Sequence, residues 1–232
     1  MFSLVMRAHT SHQFDEDLGR LKDALLLMGG MIESMLKEAN AALINNDATI
    51  ASKVIDRDNQ LDQMEKKVDE LAIQILAIRQ PAAVDLRFVT ASMKICTDLE
   101  RMGDIIVNIC ERVIELSLLK QLKPYHDLPK MMELTANMIS KSIDAFIRES
   151  PEIASEVLKS DDEIDHYFRF IYEELLEMMK KDPEAVERGM KLTFIAKHLE
   201  RMADHATNIA EQVVFTVKGL DIRHSGHPSP TP

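Results

Sequence analysis

The chain has 232 residues, 46% of them hydrophobic and 29% charged, enough to bury a substantial core. Its formal charge of −11, without a basic cluster, argues against nucleic-acid binding, which needs Lys and Arg in excess at the phosphates. No apolar run is long enough to span a bilayer and residues 1–6 are too short for a signal-peptide core, so a cytoplasmic protein is expected, meeting membranes only through partners.

With only 7 Gly and 8 Pro, no Trp, and Leu, Ile, Met, Ala, Glu and Lys abundant, the composition favours helices over sheets. Six helices are predicted. The first covers 15–44, with Leu18, Leu21, Leu25, Met28, Ile32, Met35 and Leu36 at helical spacing. Asn45-Asn46-Asp47 ends it, and Asp47 is placed to cap a second helix that runs to Ile78 and stops before Pro81. The third covers 84–119 and contains both cysteines, Cys96 and Cys110, read as buried reduced thiols. Lys123-Pro124-Tyr125-His126-Asp127 marks a boundary between halves, followed by a fourth helix over 128–148. Ser150-Pro151 opens a fifth that runs to Lys181, and Asp182-Pro183 precedes a sixth that runs to Val217. The tail from Ser225 is expected to be disordered.

The halves repeat. Asp58 and Asp62 match Asp161 and Asp165 at one constant offset. At an offset a few residues shorter, Leu99-Glu100-Arg101-Met102, Asp104 and Asn108-Ile109 match Leu199-Glu200-Arg201-Met202, Asp204 and Asn208-Ile209. One helix-helix-helix unit is used twice. Long helices with short connections favour antiparallel packing. The expected architecture is all-α: two tandem three-helix bundles, six long antiparallel helices in total. The units are 14–120 and 127–219, with flexible ends at 1–13 and 220–232.

At about 100° per residue, Glu100, Asp104, Asn108 and Glu111 form one stripe, separate from the apolar face. Glu200, Asp204, Asn208 and Glu211 do the same. Asp58, Asp62, Glu65 and Asp69 share a stripe on the second helix, and Asp161 and Asp165 lie on the fifth. If each helix pair folds back at Pro81 or Pro183, Asp62 comes level with Glu100 and Asp58 with Asp104. Asp165 likewise comes level with Glu200, and Asp161 with Asp204. Two sets of four converging carboxylates repel unless neutralised, and hard, oxygen-preferring cations (Mg, Mn, Ca or Fe) would do it. The candidate ligands are therefore Asp58, Asp62, Glu100, Asp104, Asp161, Asp165, Glu200 and Asp204. The competing reading is a solvated acidic face balanced by Arg101 and Arg201. His198 and His205 read as surface histidines, because they lack counterparts at Asp98 and Ile105. No phosphate loop or nucleophile-base arrangement appears, so no enzyme is expected, and a carboxylate-bridged metalloenzyme on a helical bundle is the alternative.

The doubled Glu/Asp-x-x-x-Asp motifs, with His12–Leu18, Asp85–Phe88, Asp98–Ile109 and His198–Glu211, resemble those of the PhoU family from about Arg7 to Gly219. Family members usually carry Ile-Gly after the Glu-Arg, where this chain has Met102-Gly103 and Met202-Ala203. The resemblance implies two three-helix bundles related by pseudo-twofold symmetry, commonly dimeric, that bind metal rather than catalyse. It implies iron foremost, with Mg, Mn, Ca or Zn as alternatives. It further implies negative regulation of phosphate uptake and of the phosphate regulon. The implied partners are the sensor histidine kinase PhoR and the phosphate ABC transporter ATPase PstB.

Overall fold

A computed structural model describes residues 12–122 and 127–222. Within them the chain forms seven α-helices and one 3-10 turn: α1 (His12–Asn45), α2 (Ala48–Asp56), α3 (Asp58–Arg79), α4 (Ala83–Ser117), α5 (Asp127–Ile147), α6 (Pro151–Lys181), the turn Pro183–Ala185, and α7 (Val186–Lys218). Most of the boundary between halves, Lys123–His126, lies outside the described residues, as do nearly all of both proposed flexible ends. His12 and Gln13 already belong to α1.

The helix punctuation follows the side chains. Asn46 turns left-handed at φ 55, and Asp47 then caps α2 by accepting from the backbone N–H groups of Thr49 at 2.8 Å and Ile50 at 3.2 Å. Ser150 caps α6 by accepting from the Ile153 N–H at 3.3 Å, with Pro151 in the first turn. Gly219, at φ 69, closes α7 in the left-handed conformation that glycine adopts without steric penalty.

One expectation is corrected. The second predicted helix is two helices, broken at Arg57. The Arg57 guanidinium reaches back to α1, donating to Ser34 at 3.4 Å and to Glu38. Its counterpart in the second half is Ser160, whose hydroxyl donates to the Glu156 carbonyl at 3.0 Å, and there α6 runs on unbroken. A long-range anchor, rather than a local breaker such as Gly or Pro, splits the first copy.

α1 packs on α2, α3 and α4, and α5 packs on α6 and α7. Two further pairings join the halves: α1 with α5, and α4 with α7. Each joins a helix to its own counterpart in the repeat, as a twofold relation requires. The buried apolar residues of both halves form one continuous core. The hairpins α3–α4 and α6–α7 lie on either side of this shared centre, each holding one set of acidic residues.

Candidate functional site

The eight carboxylates fall into two separate groups. On α3 and α4, partial burial raises the Asp58 carboxyl above its ordinary range, and like charge from Asp62 and Asp104 adds to it. Burial also raises Glu100, reinforced by Asp104, Glu65, Asp62 and Asp58. On α6 and α7, burial pushes Asp161 up to about 6, with Asp165, Asp204, Asp162 and Glu200 contributing. Asp204 is raised by desolvation and Glu200, while Lys197 opposes the shift. The mutual repulsion runs within each hairpin, so every sequence-predicted residue acts on the set to which the hairpin register assigned it. The side chains are near each other without being drawn to one point: among the described residues, no three Asp, Glu, His or Cys groups are positioned around a common metal-sized centre.

The two sets are not copies. Glu65 and Asp69 extend the first: Glu65 is raised by burial and by Asp69 and Asp62, and opposed by Lys66 and Arg101. In α6 the counterparts of Glu65 and Asp69 are Phe168 and Tyr172. The second set instead contains a cation. Lys197 lies 2.6 Å from Glu200 Oε2 and 5.3 Å from the Phe168 ring centroid. Its counterpart in α4 is Thr97. Lys197 could have been found in sequence, since Lys and Glu three apart are neighbours on a helix. Glu65 and Asp69 belonged to the stripe already recognised.

Neither His198 nor His205 is a fully exposed surface residue, contrary to the sequence expectation. His205 Nδ1 lies 2.8 Å from Asp98 Oδ1, with the two side chains 13% and 12% exposed, and the pair links α7 to α4. His198 is also partly buried; burial, then Arg201 and Arg112, holds its pKa below the ordinary value. Both lie along the α4–α7 pairing, which helical periodicity does not reveal. The cysteines are buried as expected, and burial pushes both thiols up to about 12, far from a reactive thiolate.

The donor set, all carboxylate, suits hard cations. Without one, its repulsion destabilises the fold in a pH-dependent way. Asp161 has its folded pKa raised from 3.8 to about 6, so the folded state holds that proton more tightly than the unfolded state. Stability is therefore intact below the unfolded value, falls as pH rises through that window, and stays lower above about 6. Asp161→Asn removes the penalty. At pH 7 and free of metal, the variant is expected to be more stable by about 1–2 kcal/mol, after allowance for partial exposure. At pH 4, just above the unfolded value, most of the gain should be gone. Urea unfolding at both pH values checks this; equal stability of variant and parent at pH 7 would refute it.

Comparison with known proteins follows the same duplication. The PhoU domain matches residues 25–113 and again residues 128–213. The phosphate-specific transport system accessory protein PhoU homolog of Pseudomonas putida is 37% identical over 219 residues, covering 94% of this chain and 86% of that protein. The phosphate-specific transport system accessory protein PhoU of Escherichia coli K12 is 33% identical over 226 residues, covering 97% and 94%. The crystal structure of PhoU from Pseudomonas aeruginosa superposes with a TM-score of 0.86 at 35% identity, over 90% of this chain and all of that one.

Proposed function

The chain belongs to the PhoU family, and we propose that it is a cytoplasmic regulator of phosphate homeostasis that restrains phosphate uptake and the phosphate regulon. It does so as a non-catalytic homodimeric adaptor, linking the ATPase of the phosphate ABC transporter, PstB, to the sensor histidine kinase, PhoR. The observation that carries this reading is the doubled PhoU domain match, which takes in both acidic hairpins within a chain similar to accessory proteins along nearly its full length. Among the described residues no helix is long and apolar enough to cross a membrane.

We further propose that each acidic set holds divalent or trivalent cations, iron foremost, with Mg, Mn, Ca or Zn as alternatives. Asp58, Asp62, Glu100 and Asp104 would hold one group, and Asp161, Asp165, Glu200 and Asp204 the other. The raised carboxyl pKa values support this, because ionised carboxylates at this density are only partly compensated by the protein's own cations. A bound cation would supply positive charge that neutralises the carboxylates. The residues supply the negative charge: α3 and α4, and likewise α6 and α7, each contribute two carboxylates that repel one another within the hairpin, so neutralisation would tie the two helices together.

Two measurements test the parts separately. In a host lacking its own family member, this chain should restore repression of a phosphate-starvation reporter in phosphate-rich medium. Failure to repress, with the protein present and folded, would refute the regulatory role. Elemental analysis should find metal that is lost from the first set in the variant Asp58→Asn, Asp62→Asn, Glu100→Gln, Asp104→Asn. Unchanged metal content in that variant would refute the metal assignment and leave the regulatory one standing.

A further inference from the structure

We propose that the α6–α7 hairpin carries a docking face for a basic amphipathic helix of a partner protein. Val186, Met190 and Phe194 recur every fourth residue on α7 and are 43%, 45% and 53% exposed. Tyr172, 43% exposed, lies on α6 as far before Pro183 as Phe194 lies after it, so the two are level across the hairpin. Phe168 continues the strip one turn below Tyr172, their ring centroids 6.2 Å apart. Lys197 over Phe168 then joins the apolar strip to the acidic set through Glu200.

The internal repeat supplies the control. At the corresponding positions the first hairpin has Glu65 for Phe168, Asp69 for Tyr172, Thr90 for Met190 and Lys94 for Phe194. Only Val186 keeps an apolar counterpart, Leu86, 41% exposed; at the other four positions the same fold is built with polar groups, so the bundle does not need those apolar side chains at its surface. Grouped exposed apolar residues of this kind mark interaction sites more than isolated ones do.

Charge decides the occupant. The strip runs along one helix face into Asp161, Asp165, Glu200 and Asp204, and the face from Val186 to Asp204 is about 27 Å long at helical rise. An apolar end followed by a carboxylate end is complementary to a helix of similar length with apolar residues at one end and Lys or Arg at the other. A second copy of the face is a poor fit: parallel pairing opposes carboxylates to carboxylates, and antiparallel pairing buries them against apolar groups. An anionic membrane surface is repelled by the same carboxylates.

The inference rests on the regulatory reading for the existence of a protein partner, and its charge argument applies to the second acidic set when free of the proposed cations, so its test is run in chelator and uses neither transporter nor kinase. The probe is a fluorescein-labelled 18-residue synthetic helix with Leu and Phe on one face of its first half and four Lys in its second half. Binding is followed by anisotropy in chelator. Saturable binding is expected, weakened at least tenfold by Met190→Ser with Phe194→Ser and unchanged by Leu86→Ser with Lys94→Ser in the first hairpin. A peptide with Glu in place of Lys should not bind. The proposal is overturned if the parent does not bind, if the Met190/Phe194 variant binds equally well, or if the first-hairpin variant loses as much. It is also overturned if sedimentation shows that the Met190/Phe194 variant converts a dimer to monomers, which would assign the face to a second copy. These side chains are exposed, so both variants should keep the parent's circular dichroism and melting profile.

Discussion

Phe146→Ala is expected to lower the unfolding free energy by about 3–5 kcal/mol, the usual cost of truncating a buried aromatic ring. Phe146 on α5 is fully buried and stacks on Phe88 of α4, with centroids 4.9 Å apart and ring planes 9° apart. Lys22 of α1 covers the Phe88 ring at 5.0 Å and pairs with Glu149 at 3.1 Å. This group links the two halves away from both acidic sets. Its counterparts in the repeat are Leu43 for Phe146 and Arg188 for Phe88, so the stack occurs on one side only and has no duplicate to compensate for its loss. Because the core is continuous, the halves should still unfold together: the urea midpoint should fall with little change in slope. A loss under 1 kcal/mol would mean that the stack contributes little to joining the halves.

Gly103→Val is expected to cost about 1–3 kcal/mol and, if the first acidic set holds cations as proposed, to weaken their binding at that set alone. A Cβ at Gly103 would lie 2.8 Å from Leu61 Cδ1 and 3.1 Å from Asp58 Oδ1. Leu61 is fully buried, so either its side chain repacks at a cost or α3 moves away from α4, and both displace the neighbouring Asp58 carboxylate. In the second half the equivalent position is Ala203, and α6 accommodates that methyl. The absence of a side chain is therefore a local requirement of the first hairpin. Thermal melts and calorimetric metal titration check both parts. A variant that melts with the parent and titrates normally at the first set would refute the close-packing argument.

The local architecture was legible because helices are governed by short-range periodicity. Leu21, Leu25, Met28 and Ile32 marked the buried face of α1, and Asp47 and Ser150 capped the helices they were expected to cap. The duplication made the acidic stripes readable, and the distances from Pro81 and Pro183 set the register that groups Asp58, Asp62, Glu100 and Asp104, and likewise Asp161, Asp165, Glu200 and Asp204. The break at Arg57 was not legible, because its cause is an ion pair with Glu38 on another helix. Nor was the place of His205, whose partner Asp98 belongs to the other half of the chain.

The sequence by itself determined that the chain is helical, that it is one unit used twice, and which face of each helix is acidic. All of these are written within a few turns of helix. Only the tertiary structure decided that α4 pairs with α7 and α1 with α5, which buries the Asp98–His205 pair between the halves. It also decided what the differences between the two acidic hairpins do: Glu65 and Asp69 add repulsion to one set, whereas Lys197 lies over Phe168 beside Glu200 in the other, flanked by exposed apolar side chains. The physical reason is common to each case. Backbone hydrogen bonding and side-chain period are local, whereas ion pairing, burial and charge repulsion depend on which distant residues the fold brings into reach.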